Sequence, residues 1–317
     1  MLALIIGASG FVGRHLVRQL RLDGYHVVAT KSHSLTSNNF DISDVDVYEV
    51  DILSTFETNE LLSTVKPDIV FHLASQSSVA LSWTNPQLTV DVNIKGTINV
   101  LEGVRGLKKE LRLLLIGSGE EYGYVSSNGL PINEESKLIP KNIYAVTKIT
   151  QGLLGKVYVD AYDMDVVIVR AFNHIGPGQK LGFVVPDFCK QIIDIECKLS
   201  DPVINVGNLE IQRDFTDVRD IVCAYSLIAK KGQKGAIYNV GSGTALSIRK
   251  LLDHLISLTD KDITVNVDKS KFRPVDVPVI VSDNSLLIQE IGWKPQIPLE
   301  RTLRDTLDYW RCMADSI

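Results

Sequence analysis

The chain has 317 residues, 45% hydrophobic and 22% charged, with net charge −5. That length holds one large domain or two lobes around an ample core. The acidic balance speaks against nucleic acid as the main partner, which usually shows as a basic surplus, and no apolar run reaches the ~20 residues of a membrane span.

The first half alternates apolar strands with amphipathic helices. LALIIG (2–7) reads as a strand, and FVGRHLVRQLRLDG as a helix closed by Gly24. Between them stands Gly7-Ala-Ser9-Gly10-Phe11-Val12-Gly13, with GxxGxxG spacing in a strand–turn–helix setting. Glycines there permit a tight turn and close approach of backbone to a pyrophosphate, and the helix N-terminus supplies free N–H groups. The loop predicts dinucleotide binding. HVVAT (26–30) is the second strand. Its end, Ala29-Thr30-Lys31-Ser32, lacks the acid that grips the 2′-hydroxyl of NAD. Lys31 is available for a 2′-phosphate, which favours NADP(H), with NAD(H) the alternative. VYEVDI (47–52) is a third strand, ending at Asp51 and Ile52; the Asp51 carboxylate suits an adenine amino group, or simply caps the loop.

A helix near 55–65 follows, then the strand DIVFHLA (68–74), a long helix from about Pro86 to Arg105, and the strand LRLLLIGS (111–118). A helix from about Tyr144 to Tyr162 precedes VVIVRAF (166–172). Strands alternating with helices predict a doubly wound parallel Rossmann sheet. The second half is less regular and reads as a smaller, interleaved C-terminal α/β lobe, giving a cofactor domain over 1–170 and a substrate lobe over 171–317. Cys189, Cys197, Cys223 and Cys312 form neither a C-x-x-C pair nor a zinc spacing, so no metal is expected and the thiols fit a reducing cytosol. The first strand starts at residue 2, leaving no room for a secretory leader; the expected location is the cytoplasm.

Tyr144-Ala-Val-Thr-Lys148 sets a phenol and an ammonium one helical turn apart on one face. A nearby ammonium stabilises phenolate, so the tyrosine pKa is expected to fall. Ser118, at the end of the preceding strand, adds a hydroxyl.

With the glycine loop, Ser118 and Y-x-x-x-K together, the chain resembles the extended short-chain dehydrogenase/reductase superfamily (the NAD-dependent epimerase/dehydratase family) over essentially its whole length. The resemblance implies a nucleotide-sugar enzyme. Tyr144 would be the acid/base, Lys148 would bind the nicotinamide ribose and tune the tyrosine, and Ser118 would orient the reacting oxygen. HLASQSSV (72–79) resembles the segment beside nicotinamide and sugar, with Leu73, Ala74 and Ser75 toward the cofactor and Gln76 toward the substrate. Asn93 matches the buried polar marker of the long helix.

Three runs, R-A-F-N-H-I-G-P-G-Q (170–179), V-G-N-L-E-I-Q-R-D-F-T-D-V-R-D (206–220) and F-R-P-V-D (272–276), resemble the branch acting on GDP-mannose derivatives. That branch implies a diphosphate contact at Asn173, phosphate and ribose clamps at Arg213 and Arg273, and further substrate contacts at Val184, Lys190 and Asn208. Asp276 stands where the branch often has a glutamate for ribose hydroxyls. Arg219 and Asp220 read as an internal pair, Arg170 as structural and His174 as a hydrogen-bonded structural histidine.

The strand end Gly117-Ser118-Gly119-Glu120-Glu121-Tyr122-Gly123 bears on the reaction. Dehydratases of this superfamily resemble S-T-D-E-x-Y-G or S-T-S-E-x-Y-G here, with Glu120 matching the C5 base. Gly119 replaces the aspartate or serine that assists the leaving hydroxyl. Epimerase–reductases resemble S-S-C-x-Y and G-H-V-x-P; this chain has Glu120 and Phe183 at their acid/base positions. What remains is NADPH-dependent reduction of the C4 ketone of a GDP-4-keto-6-deoxy-mannose-type sugar, with a 4,6-dehydratase acting on GDP-mannose as the alternative. A silent cofactor-binding regulator is a further rival, which the intact catalytic set disfavours. In ketoreductases of the branch, serine is usual at the position of Gly119. A homodimer is implied, through the helices near 86–105 and 144–162, with Val146, Leu153, Leu154 and Val157 facing outward.

Overall fold

The computed structural model describes residues 1–33, 45–272 and 275–314. Its first six strands are β1 (Leu2–Ile6), β2 (His26–Lys31), β3 (Asp46–Glu49), β4 (Ile69–His72), β5 (Arg112–Ser118) and β6 (Asp165–Ala171). They are followed by β7 (Asn173–Ile175), β8 (Val203–Val206), β9 (Gln212–Asp217) and β10 (Ile237–Val240), then β11 (Ala245–Ser247), β12 (Thr264–Val267) and β13 (Val279–Ile280). Seven of these form one sheet in the order β3-β2-β1-β4-β5-β6-β10, with every pairing parallel. This is the doubly wound Rossmann-like α/β fold.

The central strands are apolar on both sides, as a sheet covered by helices requires. On one face, α1 (Phe11–Leu22) packs with a helix of the second half. On the other lie α2 (Thr55–Val65) and the chain from α3 (Val79–Thr84) and α4 (Pro86–Val90) through a π-helical turn (Asp91–Lys95) into α5 (Gly96–Gly106). That face is completed by α6 (Ile143–Tyr162). The single long helix read from Pro86 to Arg105 is thus interrupted: the π turn inserts an extra residue, and apolar spacing does not reveal one such turn.

The second half supplies α7 (Val184–Glu196), α8 (Val218–Lys231), α9 (Ile248–Ile256), α10 (Ser285–Ile291) and α11 (Leu299–Ala314). Helices α8 and α10 and strand β10 join the core on the α1 face. Helices α7, α9 and α11 enclose a core of their own with β7 to β9. Asp214, wholly buried on β9, accepts hydrogen bonds from Ser242 and Gly243 after β10 and from Ser282 after β13, and so ties these segments of the second half together.

Arg219 and Asp220 do not pair with each other. Arg219 donates to both carboxylate oxygens of Asp217 and reaches Asp305 at 2.8 Å. Asp220 accepts from the backbone of Gln296 and Ile297 instead. Adjacent positions on a helix do not face each other, which is why the pair separates. Among the described residues, no helix is long and apolar enough to cross a membrane.

Candidate active site

A cleft of about 790 Å³ runs along the C-terminal ends of the sheet strands and under the second half. Ligands of open α/β sheets bind at this edge. At one end lies the glycine loop. Gly7 has φ +91°, and a Cβ there would stand 2.7 Å from the Ala74 nitrogen, so only glycine fits. Thr30 accepts a hydrogen bond from the Gly7 nitrogen at 3.0 Å and fixes the loop. Gly10 opens α1, and no side chain caps that helix. Its first-turn N–H groups therefore stand unsatisfied by the helix, and Gly10, Phe11, Val12 and Gly13 line the cleft. These features fit the pyrophosphate of a dinucleotide.

Ser9, Thr30, Asp51, Ile52, Leu73, Ala74 and Ser75 also line the cleft. The Asp51 carboxylate accepts from the Leu53 nitrogen at 2.9 Å, so it caps its loop while facing the cleft. Lys31 differs from the expectation: its ammonium pairs with Glu49 at 2.7 Å, and Ser32 rather than Lys31 lines the cleft.

At the other end, β5 delivers Ser118, and α6 delivers Tyr144 and Lys148. Asn142 starts α6 by accepting from the Ala145 nitrogen, and its side-chain amide donates to Glu120 at 3.0 Å. One residue thus starts α6 and holds Glu120. The Lys148 ammonium, buried, donates to the Ile116 carbonyl at 2.8 Å and the Gln151 side chain at 3.0 Å. Burial lowers its pKa to about 8.

The expected fall in the Tyr144 pKa is not what the chain's own groups produce. Complete burial raises it, Glu121 and Glu120 add to the rise, and the Ser118 hydroxyl only partly opposes them. Lys148 spends its hydrogen bonds on Ile116 and Gln151, and its ammonium stands 5.9 Å from the centre of the tyrosine ring. The lysine is charged below about pH 8. If its charge is required, kcat/KM falls as pH rises through that value; a profile flat to pH ~10, the ordinary lysine range, would count against a role for the ammonium.

Asn93, inside the π turn, is fully buried. Its side chain accepts from the Gln76 nitrogen at 2.8 Å and donates to the Gln76 carbonyl and to Thr147 on α6. It ties the Gln76 loop to α6. Asn93→Ala is expected to cost about 1–3 kcal/mol by orphaning buried groups, read as a shifted urea midpoint.

Two groups at this end were given no site role from sequence. Glu121 is buried, accepts from the Ser118 nitrogen at 2.7 Å and pairs with Arg170 at 2.9 Å. It therefore holds the backbone of the serine. Phe172 packs against Gly119, where a Cβ would lie 3.0 Å from the ring. The aromatic ring occupies the room that a side chain at position 119 would use. A side chain there would have to push the ring aside by a few tenths of an ångström, a constraint that pattern alone does not reveal. His174 bonds the Phe172 carbonyl through Nδ1 and stacks on Phe11.

At the substrate end, Gln76, Asn173, Val184, Asn208, Arg213 and Asp276 line the cleft. Asn208 donates to Asp276 at 3.2 Å. Arg213 is buried and donates to the carbonyls of Gln212 and Val277. Lys190 points elsewhere: it is bound to Asp194 one helical turn on, and Gln191 lines the cleft in its place. Arg273 lies outside the described residues. Two cations not singled out from sequence line this end: Lys180, in a loop, and Lys271, at the end of a short 3-10 turn (Lys269–Lys271).

The model of the GDP-mannose 4,6 dehydratase family matches residues 4–306. This chain belongs to that family, within the extended short-chain dehydrogenases/reductases. It is 32% identical to a GDP-6-deoxy-D-mannose reductase of Pseudomonas aeruginosa, over 96% of each chain. It is 27% identical to a GDP-mannose 4,6-dehydratase of Yersinia enterocolitica, over 94% of this chain and 90% of the relative. Among solved structures, RMD from Pseudomonas aeruginosa complexed with NADPH superimposes with TM-score 0.86 at 31% identity, over 99% of this chain and 100% of that one. A Thermus thermophilus UDP-glucose 4-epimerase in complex with NAD gives 0.89 at 27% identity, over 98% and 99%. The chain is thus an NAD(P)(H)-dependent oxidoreductase of the nucleotide-sugar class.

Proposed function

We propose that this protein uses NADPH to reduce the C4 ketone of a GDP-4-keto-6-deoxy-mannose-type sugar to the GDP-6-deoxy sugar. The observation that carries this reading is a complete Ser118–Tyr144–Lys148 set beside a side-chain-less position 119 covered by Phe172. The 32% identical relative named as a reductase supports it.

The bound cofactor supplies a hydride to C4. Tyr144 gives a proton to the ketone oxygen, and its raised pKa keeps the phenol protonated at neutral pH. The Ser118 hydroxyl orients the carbonyl and donates to the oxygen as charge develops. Lys148 holds the nicotinamide ribose and offsets the phenolate left behind. Glu120, fixed by Asn142, accepts from a sugar hydroxyl. Asn173, Asn208, Arg213 and Asp276 receive the nucleotide. Lys31 serves the 2′-phosphate by exchanging Glu49, since a half-exposed ion pair is worth only about 0–1 kcal/mol.

Dehydration of GDP-mannose is the second reading, favoured by the Glu120 carboxylate in the cleft and by the dehydratase relatives. It requires a proton for the departing C6 hydroxyl, which position 119 does not provide. Deuteride-labelled NADPH separates the two. A reductase puts one deuterium on C4 of the product per NADPH consumed; appearance of a 4-keto sugar from GDP-mannose without net consumption supports the dehydratase.

The remaining parts of this reading are a substrate lobe over 171–317, a cytoplasmic location and a homodimer. None of the four cysteines is in a disulfide. Val146, Leu153 and Val157 are 49%, 60% and 55% exposed along one stripe of α6, while Leu154 turns inward onto the core. Leu153→Glu with Val157→Glu is expected to convert a dimer into a monomer by light scattering; an unchanged mass would place the interface elsewhere.

A further inference from the structure

Helix α8 carries a phenol that the mechanism leaves unused. Tyr225 is completely buried, lines the cleft, and its hydroxyl has no hydrogen-bond partner. An unsatisfied buried hydroxyl is destabilising, and phenylalanine would avoid that cost. Tyr225 lies two turns after Val218, at the N-terminal end of α8 where Val218 packs against Gly176. Helical side chains lean toward the N-terminus of their helix. The phenol therefore rises on the α1 face toward the ends of β5 and β6, where Ile116 and Ala171 share its core. Tyr144 reaches the same end from α6 on the opposite face, near enough to add to the rise that burial gives the Tyr225 hydroxyl. The end marked by Thr30 and Asp51 lies over β2, three strands from β5 and so about 14 Å away.

We propose that the Tyr225 hydroxyl is a hydrogen-bonding contact for the carboxamide of the nicotinamide, fixing that ring at the Tyr144 end of the cleft. A phenol both donates and accepts, which matches an amide, and the carboxamide is the only amide of the cofactor. The proposal rests on the NAD(P)(H) reading.

The test compares wild type and Tyr225→Phe by titrating NADPH and, separately, 2′-phospho-ADP-ribose, which lacks the ring. In the variant, NADPH affinity is expected to fall about 3- to 10-fold, as one hydrogen bond implies, with the ringless ligand unchanged. The ligand-free Tm should stay equal or rise. Equal NADPH affinity, a parallel loss for both ligands, or a lower ligand-free Tm would overturn it, the last by showing that the hydroxyl already has a partner. Failure of wild type itself to bind NADPH would remove the cofactor reading and the proposal together.

Discussion

Tyr144→Phe is expected to lower kcat by about 10²–10⁴-fold, the usual worth of a positioned general acid, while NADPH binds within about twofold of wild type. In the proposed mechanism the Tyr144 phenol is the group that gives its proton to the ketone oxygen, and it lies one helical turn from Lys148. Ser118 cannot replace it as the acid, because a serine hydroxyl is a far weaker acid than a phenol; with its oxygen accepting from the Glu120 nitrogen, its O–H remains available to orient the carbonyl. The Lys148 ammonium is held by the Ile116 carbonyl and the Gln151 side chain. Phenylalanine keeps the ring and its packing, so folding should be preserved. Rapid-mixing turnover and a cofactor titration on one preparation make the comparison. A variant that turns over at the wild-type rate would remove the catalytic assignment; one that loses cofactor binding as well would give Tyr144 a structural role instead.

The second large effect concerns stability. Arg170→Leu is expected to cost about 3–5 kcal/mol, because removing one partner strands a buried charge. Glu121, 1% exposed, would lose its ion pair, and the Tyr122 hydroxyl and the Glu134 carbonyl would each lose a donor. The sign of the pH dependence follows from Glu121, whose pKa burial already raises. A group raised in the folded state favours folding below its unfolded value and loses that advantage as pH climbs. Without Arg170 the rise is larger, so the deficit of the variant should narrow as pH is lowered toward the carboxylate range. Adding Glu121→Gln in the same chain should restore much of the loss, since the amide is neutral and can still accept from the Ser118 nitrogen. Urea unfolding of the single and double variants decides; an unchanged midpoint for Arg170→Leu would mean that the pair contributes nothing.

Much of this architecture is legible from the sequence because local and global signals agree. The glycine loop sits between an apolar strand and an amphipathic helix, and Tyr144 and Lys148 stand at helical spacing. What escapes is tertiary. The π turn at Asp91–Lys95 is invisible because one added residue leaves the surrounding apolar spacing intact. The Tyr144 pKa was expected to fall because spacing places Lys148 on its face, whereas burial and the lysine's other hydrogen bonds govern it. Lys31 and Lys190 looked available as unpaired letters; Glu49 and Asp194 claim them in the fold. The Gly119–Phe172 contact joins positions 53 apart, and the orphaned Tyr225 hydroxyl lies deep in an apolar helix face, where a tyrosine reads as core.

The central claim is net reduction of a keto sugar, and following nicotinamide absorbance tests it most directly. One sample receives NADPH and GDP-4-keto-6-deoxy-mannose, and the other NADPH and GDP-mannose. The proposed chemistry gives one NADPH oxidised per keto sugar in the first and no change in the second. A constant absorbance in both, with GDP-mannose converted to a 4-keto sugar, would contradict it and assign Glu120 the role of eliminating base.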